Sequence, residues 1–165
     1  MKKYEFTGET KEIGGKILHR IRALIDIPEH DVKAGDLGGW IEAERNLSQN
    51  GAAWVTGEAL VMDSAWVTDS ARVTGSARVM GSAWVMKSSD CITIGAIGSR
   101  DGTTTFYRGK DGKIYVSCGC FNGTIDDFAA KVKEVHAGTK HEKTYLLAIE
   151  LAKAQIGTAE EKDKC

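Results

Sequence analysis

The sequence lacks the features of membrane, secreted and strongly basic proteins. It has no run near the ~20 apolar residues that a membrane-spanning helix needs, and its first residues, MKKYEF, lack the apolar stretch of a signal peptide. Lys and Arg total 22 and Asp and Glu total 23, so the formal net charge is −1. This balance disfavours a general attraction to nucleic acid or anionic lipid. We therefore expect neither a membrane nor a nucleic-acid partner.

Proline and cysteine are also scarce. A single proline among 165 residues leaves the turns to the 19 glycines and to Asn, Asp and Ser. The four cysteines are Cys91, Cys118, Cys120 and Cys165, and no secretion signal accompanies them. They are interpreted as reduced thiols of a cytoplasmic protein.

The central part of the chain repeats every six residues. From residue 53 it reads AWVTGE, ALVMDS, AWVTDS, ARVTGS, ARVMGS and AWVMKS. With two extra residues before Val55, Ile41 and Leu47 extend the same phase, so eight hexads cover about residues 40–88. An α-helix has about 3.6 residues per turn, so this period is not helical.

Each hexad alternates as a strand does and ends in turn-forming residues. Ala and Val would point inwards, Trp or Arg and Thr or Met outwards, and Gly, Asp or Ser would form the corner. Short strands at a fixed spacing indicate a parallel β-solenoid.

The repeat resembles the hexapeptide-repeat proteins that form a left-handed β-helix. The resemblance covers about 50 of the 165 residues. The sequence departs from the family pattern at the position after the repeated valine, which here is Thr or Met. The resemblance implies three hexads per coil of about 18 residues, so that Val61 should lie directly against Val79. The expected fold is mainly β: a left-handed parallel β-helix of about three coils, an N-terminal capping β-hairpin, and a small α+β (βββαα) C-terminal domain.

Outward residues of neighbouring coils should form columns rich in Trp and Met. Such a surface is typical of self-association or partner binding, and a dimer or trimer is expected. The alternative is that a terminal segment folds over these columns. The candidate interface residues are Trp54, Leu60, Met62, Trp66, Arg72, Arg78, Met80 and Trp84.

The two ends of the array are expected to form separate parts. Residues 1–39 should hold the hairpin, with a turn at Gly14-Gly15, and residues 40–90 the repeats. The segment GDLGGWIEAERNLS is similar to hypothetical phage and prophage proteins with hexapeptide repeats, a resemblance that implies no activity.

Beyond the repeats the pattern changes to three strands and two helices. The strands are expected at residues 91–97, 103–108 and 113–118, and the helices after Thr124 and from His141 to Ile156. The C-terminal domain should span residues 91–157, followed by a flexible tail at 158–165.

Cations, hydroxyls and aromatic rings of this C-terminal part suggest a site for an anion or nucleotide. The start of the first helix would offer free backbone N–H groups to a phosphate. The alternative is a polar hairpin and an ordinary helix cap. The candidate ligand-binding residues are Arg100, Thr104, Tyr107, Arg108, Lys110, Asn122 and Thr124.

The sequence leaves two further chemistries open. Many proteins with hexapeptide repeats are trimeric acyltransferases that use a histidine base, for which His19 or His30 would have to serve. A zinc site would combine Cys118 and Cys120 with the two histidines His136 and His141, although one residue between cysteines is unusual spacing.

The sequence shows no convincing catalytic set. The predicted function is a non-catalytic, oligomeric binding protein without a cofactor or metal. A phage-encoded protein that counteracts a host defence factor, by binding a protein or sequestering a nucleotide-like ligand, is the specific hypothesis. The alternative is an acyltransferase.

Overall fold

The computed structural model describes residues 1–157, which form two compact units. Unit 1 spans Met1–Ser88 and unit 2 begins at Ser89. The expected tail at 158–165, with Cys165, lies outside the described residues. The elements are β1 (Tyr4–Ile13), β2 (Lys16–Ala23), β3 (Leu37–Ile41), β4 (Trp54–Val55), β5 (Leu60–Val61), β6 (Trp66–Val67), β7 (Arg72–Val73), β8 (Arg78–Val79), β9 (Trp84–Val85), β10 (Cys91–Ile97), β11 (Gly102–Arg108), β12 (Ile114–Cys118), β13 (Phe121–Thr124), α1 (Ile125–His136) and α2 (Lys140–Ile156).

Unit 1 contains three sheets. The largest has the order β1-β2-β3-β5-β8, and the other two are the pairs β4-β7 and β6-β9. The strands β1 and β2 form an antiparallel hairpin that turns at Gly14-Gly15, and β2 pairs antiparallel with β3. From β3 onwards all pairing is parallel.

The predicted left-handed parallel β-helix of about three coils is wrong. The strands lie in separate small sheets, none of which closes, and the N-terminal hairpin belongs to the largest sheet instead of capping a helix. That sheet is therefore mixed. A period of six fixes the spacing of strands and turns, whereas strands of two residues are too short to determine how successive sheets are connected.

The register between repeats follows the sequence period. Val61 lies opposite Val79, as predicted, and Trp66 lies opposite Trp84, in both cases 18 residues further along the chain. The first step is longer, because Trp40 pairs with Leu60 across the two extra residues. The repeated alanines and valines are buried, so they form the interior of the unit.

A left-handed backbone conformation recurs at every sixth residue of this region. An L-residue with a side chain pays a steric penalty at positive φ, which Gly avoids and Asp partly tolerates. The series ends where the sequence places Lys87 at the corner, and a 3-10 turn, Ser88–Asp90, follows. The residues with positive φ are Gly51, Gly57, Asp63, Asp69, Gly75 and Gly81.

The N-terminal hairpin covers one side of the repeats. Leu18 packs with Trp40, Leu60 and Met62 in a buried cluster. At the start of the hairpin, the Lys3 ammonium is buried. It donates hydrogen bonds to the backbone carbonyl oxygens of Ala53, at 2.6 Å, and Gly51, at 3.3 Å. Burial lowers the pKa of Lys3 to about 8.

A charged cluster also joins the hairpin to the repeats. Glu58 accepts hydrogen bonds from Lys11 at 2.8 Å, Arg20 at 3.0 Å and the Trp40 indole at 3.1 Å. The Lys11 ammonium lies 4.1 Å from the centre of the Trp40 ring. The hydrogen bond from Lys11 is the main reason that the pKa of Glu58 is lowered.

Unit 2 is an antiparallel sheet of order β10-β11-β12-β13 with two helices packed against it. It is βββαα in the prediction but ββββαα in the structure, because Phe121–Thr124 forms a fourth strand. The dipeptide Asn122-Gly123 is typical of turns, and for this reason the sequence does not predict the fourth strand. Phe106, Phe128 and Ile149 lie in its buried core.

A threonine caps the N-terminus of each helix. The Thr124 hydroxyl accepts a hydrogen bond from the Asp127 backbone N–H at 3.2 Å, and Thr139 caps α2 in the same way. Neither helix of the described chain is long and apolar enough to span a bilayer.

Candidate functional site

The candidate site is a cavity of about 490 Å³ within unit 2. It lies between the β10–β11 turn, the β12–β13 turn and one face of the two helices. Its volume falls in the range of small-molecule sites, roughly 300–1,000 Å³. The lining residues are Ile97, Ser99, Arg100, Gly102, Thr103, Cys118, Gly119, Cys120, Phe121, Phe128, Lys131, Val132, Val135, His136 and Tyr145.

The floor of the cavity is aromatic. Phe128 lies at its centre, with the Phe121 ring at 5.2 Å and the Tyr145 ring edge-on at 5.5 Å between centroids. Val132, one turn further along α1, is buried beside them. These side chains belong to the core of the unit, so the shape of the floor is fixed by the fold.

One polar chain of contacts reaches this floor. Thr104 donates a hydrogen bond to the Cys118 sulfur at 3.2 Å, and the Cys118 thiol in turn contacts the Tyr145 hydroxyl at 3.8 Å. Burial, assisted by Cys118, raises the pKa of Tyr145 to about 12, so this hydroxyl stays protonated. A side chain at Gly98, where φ is +81°, would collide with that hydroxyl.

Positive charge lines the exposed side of the cavity. Arg100, in the β10–β11 turn, and Lys131, on α1, supply this charge, and both are exposed. The ring of His136, which also lines the cavity, lies 5.5 Å from the Tyr145 ring. Lys131 pairs with Glu134 at 3.2 Å, but both side chains are more than half exposed, so this ion pair is weak. None of the described lining residues is Asp or Glu.

The predicted anion site is not assembled around β11. Tyr107 is buried, stacks on Tyr115 and donates a hydrogen bond to Asn122 at 3.2 Å, so its faces cannot receive a base. Thr104 is buried as well. Arg108 binds Asp90 at 3.1 Å and donates to carbonyl oxygens at the end of α2. It therefore stabilises a helix C-terminus.

The remaining predicted ligand residues lie apart. Arg100 and Lys110 are at opposite ends of β11, separated by roughly 20 Å of strand. Thr124 caps α1, whose first turn already carries the negative charges of Asp126 and Asp127. A phosphate at this helix start would be repelled. Of the seven candidates, Arg100 and Thr104 are placed at or beside the cavity.

The predicted interface residues divide into covered and accessible ones. Trp54, Leu60 and Met62 are buried within unit 1, which corrects their expected outward display. Trp66 is 41% exposed and stacks on Trp84 with 6.1 Å between ring centres. The others are Arg72, which is exposed, and Arg78 and Met80, which are half-buried.

The histidines considered for catalysis or zinc binding have other surroundings. His19 stacks on Phe6 at 4.6 Å, and His30 is buried; neither lines the cavity. In the part of the chain that the structure describes, no three His, Cys, Asp or Glu side chains are grouped so that they could hold a metal ion. His136 and His141 contact each other edge-on at 5.8 Å.

Sequence reasoning missed the cavity although it had identified several of its walls. Phe128 and Val132 lie in the helix expected after Thr124, and Cys118 and Cys120 are the cysteines considered for a zinc site. Nothing in the spacing of these residues shows that the walls leave a cavity between them.

No family model matches the chain, and a search of the curated proteins finds no match.

Proposed function

We propose that this protein binds a small ligand in the cavity of unit 2 and does not transform it. The supporting observation is the combination of a rigid aromatic floor with a few polar groups at the exposed side, which is the usual composition of a ligand site.

The polar groups favour binding over catalysis. The Tyr145 hydroxyl keeps its proton, and the Cys118 thiol is turned towards it. The ring of His136, the histidine among the described lining residues, contacts the rings of Tyr145 and His141, and no described hydrogen bond joins it to a cysteine, serine or threonine side chain, the contact that activates a nucleophile.

A neutral fluorescent probe tests the site. N-phenyl-1-naphthylamine should bind with one saturable site and a large gain in emission, because its two ring systems need an apolar cavity. Val135→Trp, at an exposed position of α1 that lines the cavity, should weaken this binding at least 10-fold by filling the space.

The matched control is Lys133→Trp. It adds the same side chain to an exposed position of α1 that does not line the cavity, and it should leave probe binding unchanged. Absence of saturable binding, or equal binding in both variants, would contradict the proposed function.

Other parts of the sequence-based hypothesis stay predictions. Self-association through the exposed Trp66 ring is tested by light scattering of wild type and Trp66→Glu. The free thiols of Cys91, Cys118 and Cys120 support a reducing, cytoplasmic location. The phage-encoded role against a host factor and the acyltransferase alternative gain no support from the observed contacts.

A further inference from the structure

The cavity has a charged side and an apolar side, and this inference about its ligand rests on the proposed function. No described residue forms an ion pair or hydrogen bond with the Arg100 guanidinium, which lies exposed beside the cavity. The Lys131 ammonium is held by a single exposed partner, Glu134. Both cations are therefore available to an incoming anion.

The apolar side lies deeper. Phe128 and Val132 are 4% and 3% exposed, while Arg100 and Lys131 are exposed, so the cavity changes from cationic to apolar with depth. No carboxylate among the described lining residues opposes a negative ligand. A ligand that satisfies both sides has a negative head and an apolar body.

We propose that the ligand is an amphipathic monoanion: a carboxylate that contacts Arg100 and Lys131, joined to an apolar chain or ring that packs on Phe128 and Val132. Arg binds carboxylates through two parallel hydrogen bonds, which places the head of the ligand. The apolar body is buried against the aromatic floor and supplies most of the affinity.

Three probes of equal chain length separate charge from apolarity. Binding of sodium decanoate, 1-decanol and decyltrimethylammonium to the full chain is measured by titration calorimetry below their aggregation concentrations. Decanoate should bind about 10-fold more tightly than 1-decanol, and the cation should bind least. Val135→Trp should weaken decanoate binding, which locates it in the cavity.

Variants of the cations sharpen the result. Arg100→Gln should weaken decanoate binding about 10-fold and leave 1-decanol binding unchanged, and Arg100→Lys should restore most of the loss. The control is Lys110→Gln, which removes an exposed cation of unit 2 that does not line the cavity and should change neither probe.

The outcomes distinguish this inference from the proposed function. The assignment of the ligand as an amphipathic monoanion would be overturned by any of three results. These are equal affinity for decanoate and 1-decanol, no effect of Arg100→Gln on decanoate binding, or no binding heat with decanoate. Saturable binding of N-phenyl-1-naphthylamine that Val135→Trp weakens at least 10-fold would still support a ligand cavity. Failure of that neutral probe together with decanoate would reject both.

Discussion

The two units fill their interiors in different ways. In the repeats of unit 1 most buried side chains are small Ala and Val residues that recur at fixed positions on strands of two residues, although the larger Trp54 and Leu60 are buried there too. In unit 2 it is built from large rings on longer strands and helices, such as Phe106 and Phe128, and a cavity remains beside Phe128. Repetition of small residues favours close packing, whereas irregular packing of large rings leaves space for a ligand.

The units also differ in what connects their parts. Unit 1 uses charged contacts such as those of Glu58 and buried polar ones such as those of Lys3 to attach its hairpin. In unit 2 the sheet and helices share one apolar core. Unfolding of each unit can be followed by its own spectroscopic signal. All four tryptophans lie in unit 1, so their fluorescence reports on that unit, and both described α-helices lie in unit 2, so the helix band of the circular dichroism spectrum reports on it.

The largest expected effect tests whether the units are independent. Phe128→Ala removes a ring that contacts three other rings and should lower the free energy of unfolding of unit 2 by about 3–5 kcal/mol. Urea unfolding followed by circular dichroism at the helix band should show the shift. Tryptophan fluorescence should not, and a joint shift of both signals would break the comparison.

A smaller effect is expected at a corner of the repeats. Gly75→Val places a β-branched residue at φ +65°, where a Cβ meets no neighbour within 4 Å, so the cost of about 1–2 kcal/mol comes from the backbone alone. Urea unfolding followed by tryptophan fluorescence measures it. Ser76→Val, at the next exposed position, is the control and should cost less than about 0.5 kcal/mol.

The buried ammonium of Lys3 should make unit 1 more stable as the pH rises above neutrality. Its pKa falls from 10.5 in the unfolded chain to about 8 in the folded one, so the unfolded chain holds the extra proton between these values. The free energy of unfolding should increase by about 1 kcal/mol between pH 8 and 9. Lys3→Met should lose this slope in fluorescence-monitored unfolding.

Ionisation of Tyr4 does not affect the stability of unit 1 between pH 8 and 9. The pKa of Tyr4 is raised, mainly by burial, so Tyr4 lowers stability only as the pH passes its ordinary value of 10. A slope that persists in Lys3→Met would show that Lys3 is not its source.

The smallest effect is expected at Glu58. Because its pKa is lowered in the folded state, its contribution is present above the ordinary value of 4.5 and is lost as the pH falls through the folded value. Glu58→Gln should lower the stability of unit 1 by less than about 1 kcal/mol at pH 7, since its partners are solvent-screened. The difference between variant and wild type should shrink as the pH falls below 4.5.

The sequence predicted local structure better than its assembly. The pairing of Val61 with Val79 follows from the hexad phase together with the three hexads per coil that the resemblance implies, and the strand Cys91–Ile97 follows from alternation. Handedness and sheet closure do not, since neither depends on which residues repeat. The expected exposure of Leu60 and Met62 was wrong because the hairpin that covers them is encoded some 40 residues earlier.

The site was predicted only in fragments. Arg100 was selected for its charge, and it does lie at the cavity, whereas Arg108 has the same charge but binds Asp90 and the end of α2. One sequence cannot tell these two arginines apart, because the difference depends on side chains brought together from distant segments.

The left-handed corners at every sixth residue restrict how the repeat region can change in length. Since a strand pairs with the strand 18 residues further on, an inserted or deleted hexad would keep every turn acceptable but move each later strand to a different sheet. Only additions or losses of three hexads at once return each strand to its own partner sheet. Viable length variants of this chain should therefore differ by multiples of 18 residues.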